Sequence, residues 1–310
     1  MVSYIVRRLL LMIPVLFGVS IIVFGIMHLT PGDPALLILG ENAPEAQYEA
    51  LRERLGLNQP IYVQYLRWIG NVLQLDFGRS IRSNRPVFNE IRSRLPATIE
   101  LALLATALSI IIGIPVGVFS ATNPDSVGDN IATVGALGGL AMPVFWQGLM
   151  MILIFSVWLR WLPSSGRLGS WAHYVLPTIT LGTSSIAAIT RMTRSTMLET
   201  IDQDYIRTAR AKGVLGRVVL YRHALRNAML PVITVVGLQF GNLLAGAVIT
   251  ETIFAWPGIG RLAVDAIRAQ DFPVVQGVVM VFAVTYALVN LGVDVLYAQI
   301  DPRVRTRYGA

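Results

Sequence analysis

The sequence predicts an all-α integral membrane protein with six transmembrane helices and a long external segment between the first two. Three observations carry this prediction. Of 310 residues, 54% are hydrophobic and only 14% charged, against about a quarter charged in a soluble domain, and mean hydropathy is +0.61. Six segments come close to the roughly 20 apolar residues that a helix needs to cross a hydrocarbon core of about 30 Å. The basic residues, all Arg except Lys212, are spread unequally over the intervening loops.

The first span, Leu9–Leu29, follows Arg7 and Arg8 and so imitates a secretory signal peptide. Its apolar run is longer than a signal peptide's, and it reads as an uncleaved anchor. Thr30–Pro96, a polar stretch of 67 residues, holds no spanning run and is expected to fold on one side of the membrane. The remaining spans are Leu101–Ala121, Ile131–Leu159, Tyr174–Thr190 (the shortest), Met229–Thr250 and Phe272–Val293, separated by stretches rich in Arg, Asp, Pro and Gly. Pro14, Pro115 and Pro143 fall inside spans and imply kinks, which membrane helices tolerate where neighbours satisfy the freed carbonyls. The chain thus divides into a tail and first helix (1–29), an external segment (30–96), a five-helix core (97–300) containing a cytoplasmic loop (191–230), and a C-terminal tail (301–310).

Orientation follows from the loops. The N-terminus has two Arg, the stretch Arg191–Arg226 eight basic residues and the tail Arg303, Arg305 and Arg307, and with six spans these share one side. The two short opposite loops hold only Arg160, Arg167, Arg261 and Arg268. Long loops such as 30–96 do not count in the positive-inside rule, so both termini are expected in the cytoplasm.

Composition also excludes chemistry. With no Cys, there is no disulfide framework, thiolate zinc site, Cys-ligated iron–sulfur cluster or Cys nucleophile, and His28, His173 and His223 leave little for a metal centre. The formal charge of +7 fits nucleic acid or an anionic membrane face; the composition favours the membrane, with no nucleic acid partner.

Small residues at helical spacing permit close backbone approach inside a membrane. Gly113 and Gly117, Gly135 and Gly139, and the Gly237, Gly241, Ala245 face supply them, for packing within the chain or against a second membrane subunit.

The stretch from Arg191 to Pro231 is the most informative. Asp202 and Asp204 fall in the first turn of a short helix, Arg207, Arg210 and Lys212 in its last turns, and Gly213 just beyond, as dipole and stop chemistry require. A second helix is expected over Arg217–Met229. Ile201, Tyr205 and Ala209 recur every four residues and leave an apolar face on a helix with no core of its own. Two readings fit: the helix lies on the anionic lipid surface, or it plugs into a groove on a cytoplasmic partner and couples that partner's motion to the spans.

DYIRTARAKG (Asp204–Gly213) followed by HALRNAMLP (His223–Pro231) resembles the cytoplasmic "EAA" loop of permease subunits of ATP-binding-cassette importers, in the dipeptide/oligopeptide/nickel branch. The resemblance covers nearly the whole chain. YIVRRLLLMIPVLFGVSIIVF near the N-terminus, HLTPGDP (His28–Pro34), LGLNQPIYVQYLRW, LDFGRSI, ETIFAWPGIGRL (Glu251–Leu262) and DPRVR (Asp301–Arg305) match that branch in order. Within the loop, Arg207, Thr208 and Ala209 take the Glu-Ala-Ala places, Gly213 the Gly place, and Leu230–Pro231 the ending. Arg207 in the Glu place and the longer spacing from Gly213 to Pro231 are departures from the general pattern that fit the peptide/nickel branch.

The resemblance implies the type I importer permease fold in a bacterial cytoplasmic membrane. It further implies a second homologous permease, two cytoplasmic ATPases that bind ATP and Mg, and an external solute-binding protein. Asp204, Tyr205, Arg207, Thr208, Ala209, Lys212 and Gly213 would form the ATPase-coupling element. The chain itself is expected to hold no cofactor and to hydrolyse no ATP, since it has no phosphate loop and Lys212 follows Ala211. Leu55–Ile81 and the outer loop with Phe254, Trp256 and Pro257 are candidate docking surfaces for the binding protein, although an outer Trp is commonly an interfacial anchor.

Polar side chains at mid-span face the bundle interior or a water-filled path. Gln239 and Asn242 on one face of the fifth span qualify, with Gln147 and Asn290 behind them; interhelical hydrogen bonding without substrate is the other explanation. Asp294 is expected to pair with an Arg of the coupling loop. The rivals are an ion-coupled secondary transporter, an intramembrane enzyme and a structural scaffold. The first two lack ionisable groups deep in the spans or a nucleophile–base pair, and the scaffold leaves the helical loop unexplained. Short peptides are the preferred substrate, with glutathione or nickel complexes as alternatives.

Overall fold

The computed structural model describes residues 2–29, 34–40 and 43–300; Thr30–Asp33 of the HLTPGDP motif and the tail from Asp301, with Arg303, Arg305 and Arg307, lie outside them. Among the described residues, four helices are long and apolar enough to cross a membrane. They are α1 (Val2–Leu29), α5 (Val87–Thr122), α11 (Arg226–Ile253) and α13 (Phe272–Ile300).

The third predicted span needs correction. In place of one helix over Ile131–Leu159, α6 (Val127–Ala141) meets α7 (Val144–Met151), which continues as a π-helical stretch (Ile152–Trp158), at an angle of 106°. The break falls at Met142–Pro143. Proline pushes the residue before it out of the helical region, and Met142 has φ −75° and ψ 126°.

The fourth span is longer than predicted. Helix α8 (Ala172–Ile201) has 30 residues, yet it is too rich in Thr, Ser and Arg to pass as a lipid-facing helix. It does not need to be apolar, because α5, α6, α7 and α11 all pack on it and Leu176, Ile189 and Met197 are fully buried. Helices α5 and α8 run parallel in very close approach. A Cβ on Gly113 would meet the Ile189 side chain at 2.9 Å, and one on Gly117 would meet Thr193 at 2.6 Å. Likewise Gly139 abuts Thr183, and Gly237 and Gly241 abut Val293 and Tyr286. These small residues serve packing within the chain; Gly135 has no neighbour within 4 Å.

With the bent pair counted as one span, five segments among the described residues are long and apolar enough to cross, and α8, at 30 residues, is the sixth by length alone. At the N-terminal end Arg8 pairs with Asp294 at 2.9 Å, so the partner of Asp294 is the first helix and not the coupling loop. At the opposite end α2 (Pro34–Leu39), α3 (Glu45–Leu55) and α4 (Ile61–Leu73) precede a turn closed by a bridge between Arg79 and Pro86. Helix α5 then begins at Val87, ahead of the predicted boundary at Pro96, and runs through that proline.

A core forms at this end. Val72, Phe77, Val87 and Ile91 pack with Ile259, Leu262, Ala263 and Ala266 of α12 (Ile259–Arg268) and with Val274 and Val278 of α13. The α12 residues recur at the spacing of one helical face. The turn is pinned by buried Asp271, whose carboxylate accepts from Ser80 Oγ at 2.5 Å and from the Ile81 backbone N–H at 3.1 Å.

Candidate functional site

Helix α9 (Asp204–Ala211) forms where the charge pattern predicts it, with Asp204 in the first turn and Arg210 in the last. Asp202 instead closes α8. The C-terminus of α9 is a paired turn: Gly213 N–H donates to Arg210 O at 3.0 Å and Val214 N–H to Ala209 O at 3.3 Å. That geometry needs a left-handed residue, and Gly213 has φ +75°. The expected second helix over Arg217–Met229 is not separate. Gly216–Val218 (α10) passes through a π-helical stretch (Val219–Leu225) directly into α11.

The apolar face of α9 also differs from expectation. Ile206 is the buried residue, fully enclosed, while Tyr205 is 42% exposed and its hydroxyl accepts from Asn227 Nδ2 at 2.9 Å. Around Ile206 stand Val118 and Ala121 of α5, Met197 of α8, and Val219, Ala224 and Ala228 on the approach to α11, with Ile201 and Ala209 partly buried against them. The helix therefore enters a core built from the ends of three spans. Asp204, Arg207, Thr208, Lys212 and Gly213 remain open to solvent. Arg207 and Asp204 lie 3.8 Å apart, both well exposed, a pair that contributes little to stability.

Beside this core lies a polar junction absent from the sequence reading. Arg194 of α8 holds Asp129 of α6 in a two-pronged ion pair, Nε to Oδ1 at 2.8 Å and Nη2 to Oδ2 at 2.7 Å. Ser120 Oγ of α5 donates to the same carboxylate, and the Asp125 N–H reaches it at 3.0 Å. Asp129 is almost fully buried. The available signal was Ser126 three residues before Asp129, a helix-start spacing; Ser126 Oγ does accept from the Asp129 N–H at 3.1 Å.

Mid-bundle, Gln239 Nε2 of α11 donates to Ser185 Oγ of α8 at 3.2 Å, and Asn242 Nδ2 donates to Gln239 Oε1 at 3.1 Å. Asn242 is exposed and Gln239 half-buried. Gln147 is buried and ties α7 to α8 through Thr183 Oγ1 at 2.6 Å. Asn290, on α13, faces the Gly241 side of α11, in a crevice of about 710 Å³ between α1, α11 and α13 that also holds Arg8 and Asp294. The four candidate path residues thus do not form one surface: Gln239 and Asn242 belong together, Gln147 is enclosed, and Asn290 is separate.

The outer loop turns its aromatic residues inward. Phe254 and Trp256 are fully buried, so neither faces a binding protein nor anchors at a lipid interface, and of the three docking candidates in this loop only Pro257 is exposed. Trp256 Nε1 donates to Ala97 O at 3.0 Å, its ring meets Tyr174 edge-on at 4.9 Å, and the Arg167 guanidinium lies 5.7 Å from its centre. The Tyr174 hydroxyl and the Glu100 carboxylate hold the Arg167 pKa above its usual value.

Glu251, also fully buried, binds this loop to α5. Its carboxyl group accepts from Thr98 Oγ1 at 2.5 Å and from the Arg261 N–H at 2.9 Å, while the Ile259 N–H donates to Thr98 Oγ1 at 2.9 Å. A Cβ on Gly258 would strike that carboxyl group, and one on Gly260 would lie 2.6 Å from the Val248 backbone. The motif Glu251–Leu262 is an internal clasp. Among the described residues, no three His, Cys, Asp or Glu side chains are grouped to hold a metal ion.

The chain is similar to known proteins in sequence and in fold. Residues 113–306 match the family described as "Binding-protein-dependent transport system inner membrane component" and residues 1–102 its N-terminal counterpart. The "Dipeptide transport system permease protein DppB" of Alkalihalophilus pseudofirmus is 47% identical, over 98% of this chain and 100% of that protein. The "Glutathione transport system permease protein GsiC" of Escherichia coli K12 is 45% identical, over 98% of this chain and 99% of that protein. In fold the chain is similar to a solved inward-facing "MetNI methionine ABC transporter" chain, with a TM-score of 0.58 at 16% identity, covering 68% of this chain and 96% of that one. A solved "amino acid ABC transporter with histidines" gives 0.55 at 14% identity, covering 68% and 94%. With both family matches spanning nearly its whole length and relatives this similar end to end, the chain belongs to the inner-membrane permease components of binding-protein-dependent ABC importers.

Proposed function

We propose that this permease imports short peptides, forming a translocation path with a second homologous permease and drawing its energy from two cytoplasmic ATPases that bind ATP and Mg. An external solute-binding protein delivers the substrate, and both chain termini lie in the cytoplasm. The observation that carries this reading is α9: its one buried residue, Ile206, sits on the ends of α5, α8 and α11, while Asp204, Tyr205, Arg207, Thr208 and Lys212 are open to a partner. A force applied to that open face reaches three spans through one contact cluster. Closure of the ATPase dimer would move α9 and switch the spans between inward and outward openings, a two-state mechanism driven by binding energy.

Gln239 and Asn242 are the path residues this geometry favours, as a hydrogen-bonded pair with one member exposed. Peptide as substrate is supported by relatives named for dipeptide and for glutathione. The test is uptake into proteoliposomes holding the four membrane-bound subunits, with the binding protein and ATP supplied and labelled dipeptide, glutathione and a nickel chelate compared. ATP-dependent accumulation of dipeptide above the other two supports the reading; accumulation of the nickel chelate alone overturns it.

A further inference from the structure

Helix α4, inside the segment expected to be wholly external, packs on α1 within the stretch read as its membrane span. Tyr65 of α4 shares a hydrogen bond of 2.8 Å with Ser20 of α1. Ser20 lies nine residues inside the end of α1 at Leu29, about 13 Å along the helix, so the Tyr65 ring reaches into the outer half of a hydrocarbon core of about 30 Å. The Phe17 ring, deeper still, meets Tyr65 edge-on at 6.3 Å, and Phe24 meets Trp68 at 5.7 Å.

The residues of α4 sort into three arcs at about 100° per residue. Tyr65, Trp68 and Val72 face the protein, packed on α1 or in the core at this end of the bundle. Arg67 and Asn71 make an exposed polar arc, and Gln64 beside them is tied inward, its Nε2 donating to the Gln59 carbonyl at 2.8 Å and the Leu57 carbonyl at 3.1 Å. Between the two arcs Tyr62, Leu66 and Leu73 form an apolar stripe, 67%, 63% and 79% exposed, while Ile69 at its edge packs on the core at this end of the bundle. A polar arc beside a wide apolar one is the pattern of a helix lying in a membrane interface. Through Tyr65 the helix also adjoins Phe17 of α1, which is 56% exposed and which the spanning role of α1 assigns to lipid.

We propose that α4 lies in the membrane leaflet at this end of the bundle, the outer one in the orientation given above. Its Tyr62, Leu66 and Leu73 stripe is sunk in lipid acyl chains and its Arg67 and Asn71 arc turned to the headgroups. Residues 61–73 are then a lipid anchor that holds the external segment against α1, and within Leu55–Ile81 the surface left for a binding protein is the turn beyond Leu73 and the approach before Ile61.

The chain has no Cys, so single nitroxide labels can be placed without background. Leu66→Cys, Leu73→Cys and Arg67→Cys variants of the purified transporter in phosphatidylcholine nanodiscs are compared by collision with oxygen, which partitions into lipid, and with a water-soluble nickel chelate. The expected result is at least a threefold preference for oxygen at 66 and 73 and the reverse at 67. Equal nickel access at 66 and 67 would place the stripe in water. Exclusion of both reagents at 66 and 73 would place it under a protein partner. Either result overturns the proposal, and neither depends on which substrate is carried.

Discussion

Replacing Ile206 by alanine tests whether α9 is tied to the spans through a single enclosed side chain. Ile206 is the only buried residue of α9, and its neighbours Val118, Ala121, Met197, Val219, Ala224 and Ala228 come from helices fixed elsewhere, so they cannot collapse fully into the space left. Ile→Ala in an enclosed site costs on the order of 3 kcal/mol, or about a hundredfold in the ratio of docked to undocked α9. Ile206→Val removes one methyl group and costs about 1 kcal/mol. The assay is the number of substrate molecules accumulated per ATP hydrolysed in proteoliposomes. The alanine variant is expected to assemble with its partners and hydrolyse ATP while transporting far less per ATP, with the valine variant close to wild type. An unchanged ratio in an Ile206→Ala complex of normal composition would refute the reasoning, because α9 would then transmit force by another route.

Other outcomes follow from the same geometry. Arg194→Ala strips the buried Asp129 carboxylate of both its prongs, which costs about 2–4 kcal/mol and lowers the thermal unfolding midpoint of the purified permease; Arg194→Lys restores only part of it, since a lysine cannot make the two-pronged pair. Glu251→Ala leaves Thr98 Oγ1 and the Arg261 N–H without an acceptor in an enclosed site, at about 1–3 kcal/mol for each group. A protease should then cut near Trp256 faster than in wild type. Gln239→Leu removes the hydrogen bonds to Ser185 and Asn242 and is expected to lower uptake several-fold while the complex still assembles; unchanged uptake would take Gln239 out of the path.

Much of this fold is legible in the sequence. The helices α1, α5, α11 and α13 follow from apolar length, and α9 from Asp204, Arg210 and Gly213, because lipid and helix termini act locally on the residues that meet them. What was not legible depends on long-range contact. Hydropathy reports exposure to lipid, so α8, walled in by four helices, looked short, and in the run 131–159 Pro143 announced a kink but not a break of 106°. Trp256 read as an outer aromatic because its enclosure depends on Ala97, Arg167 and Tyr174, each distant in sequence. The Asp129–Arg194 junction and the seat of Tyr65 on Ser20 have the same origin: both partners are visible in the sequence, and only the packing pairs them.

The claim on which the mechanism depends is that cytoplasmic ATPases grip the open face of α9. Isolating the tagged chain from detergent-solubilised membranes, as wild type and as the double variant Asp204→Lys, Arg207→Glu, and quantifying partners by mass spectrometry tests it directly. The exchange keeps opposite charges three residues apart on α9, where both side chains are exposed; a lysine at the start of the helix costs about 0.3–1 kcal/mol, which the glutamate at 207, one turn in, partly offsets. Recovery of a second permease with both forms, with the ATPases strongly reduced only in the variant, is the predicted result. ATPase recovery equal in the two forms, or a wild-type chain that comes down with no ATPase under conditions that preserve such complexes, would contradict it.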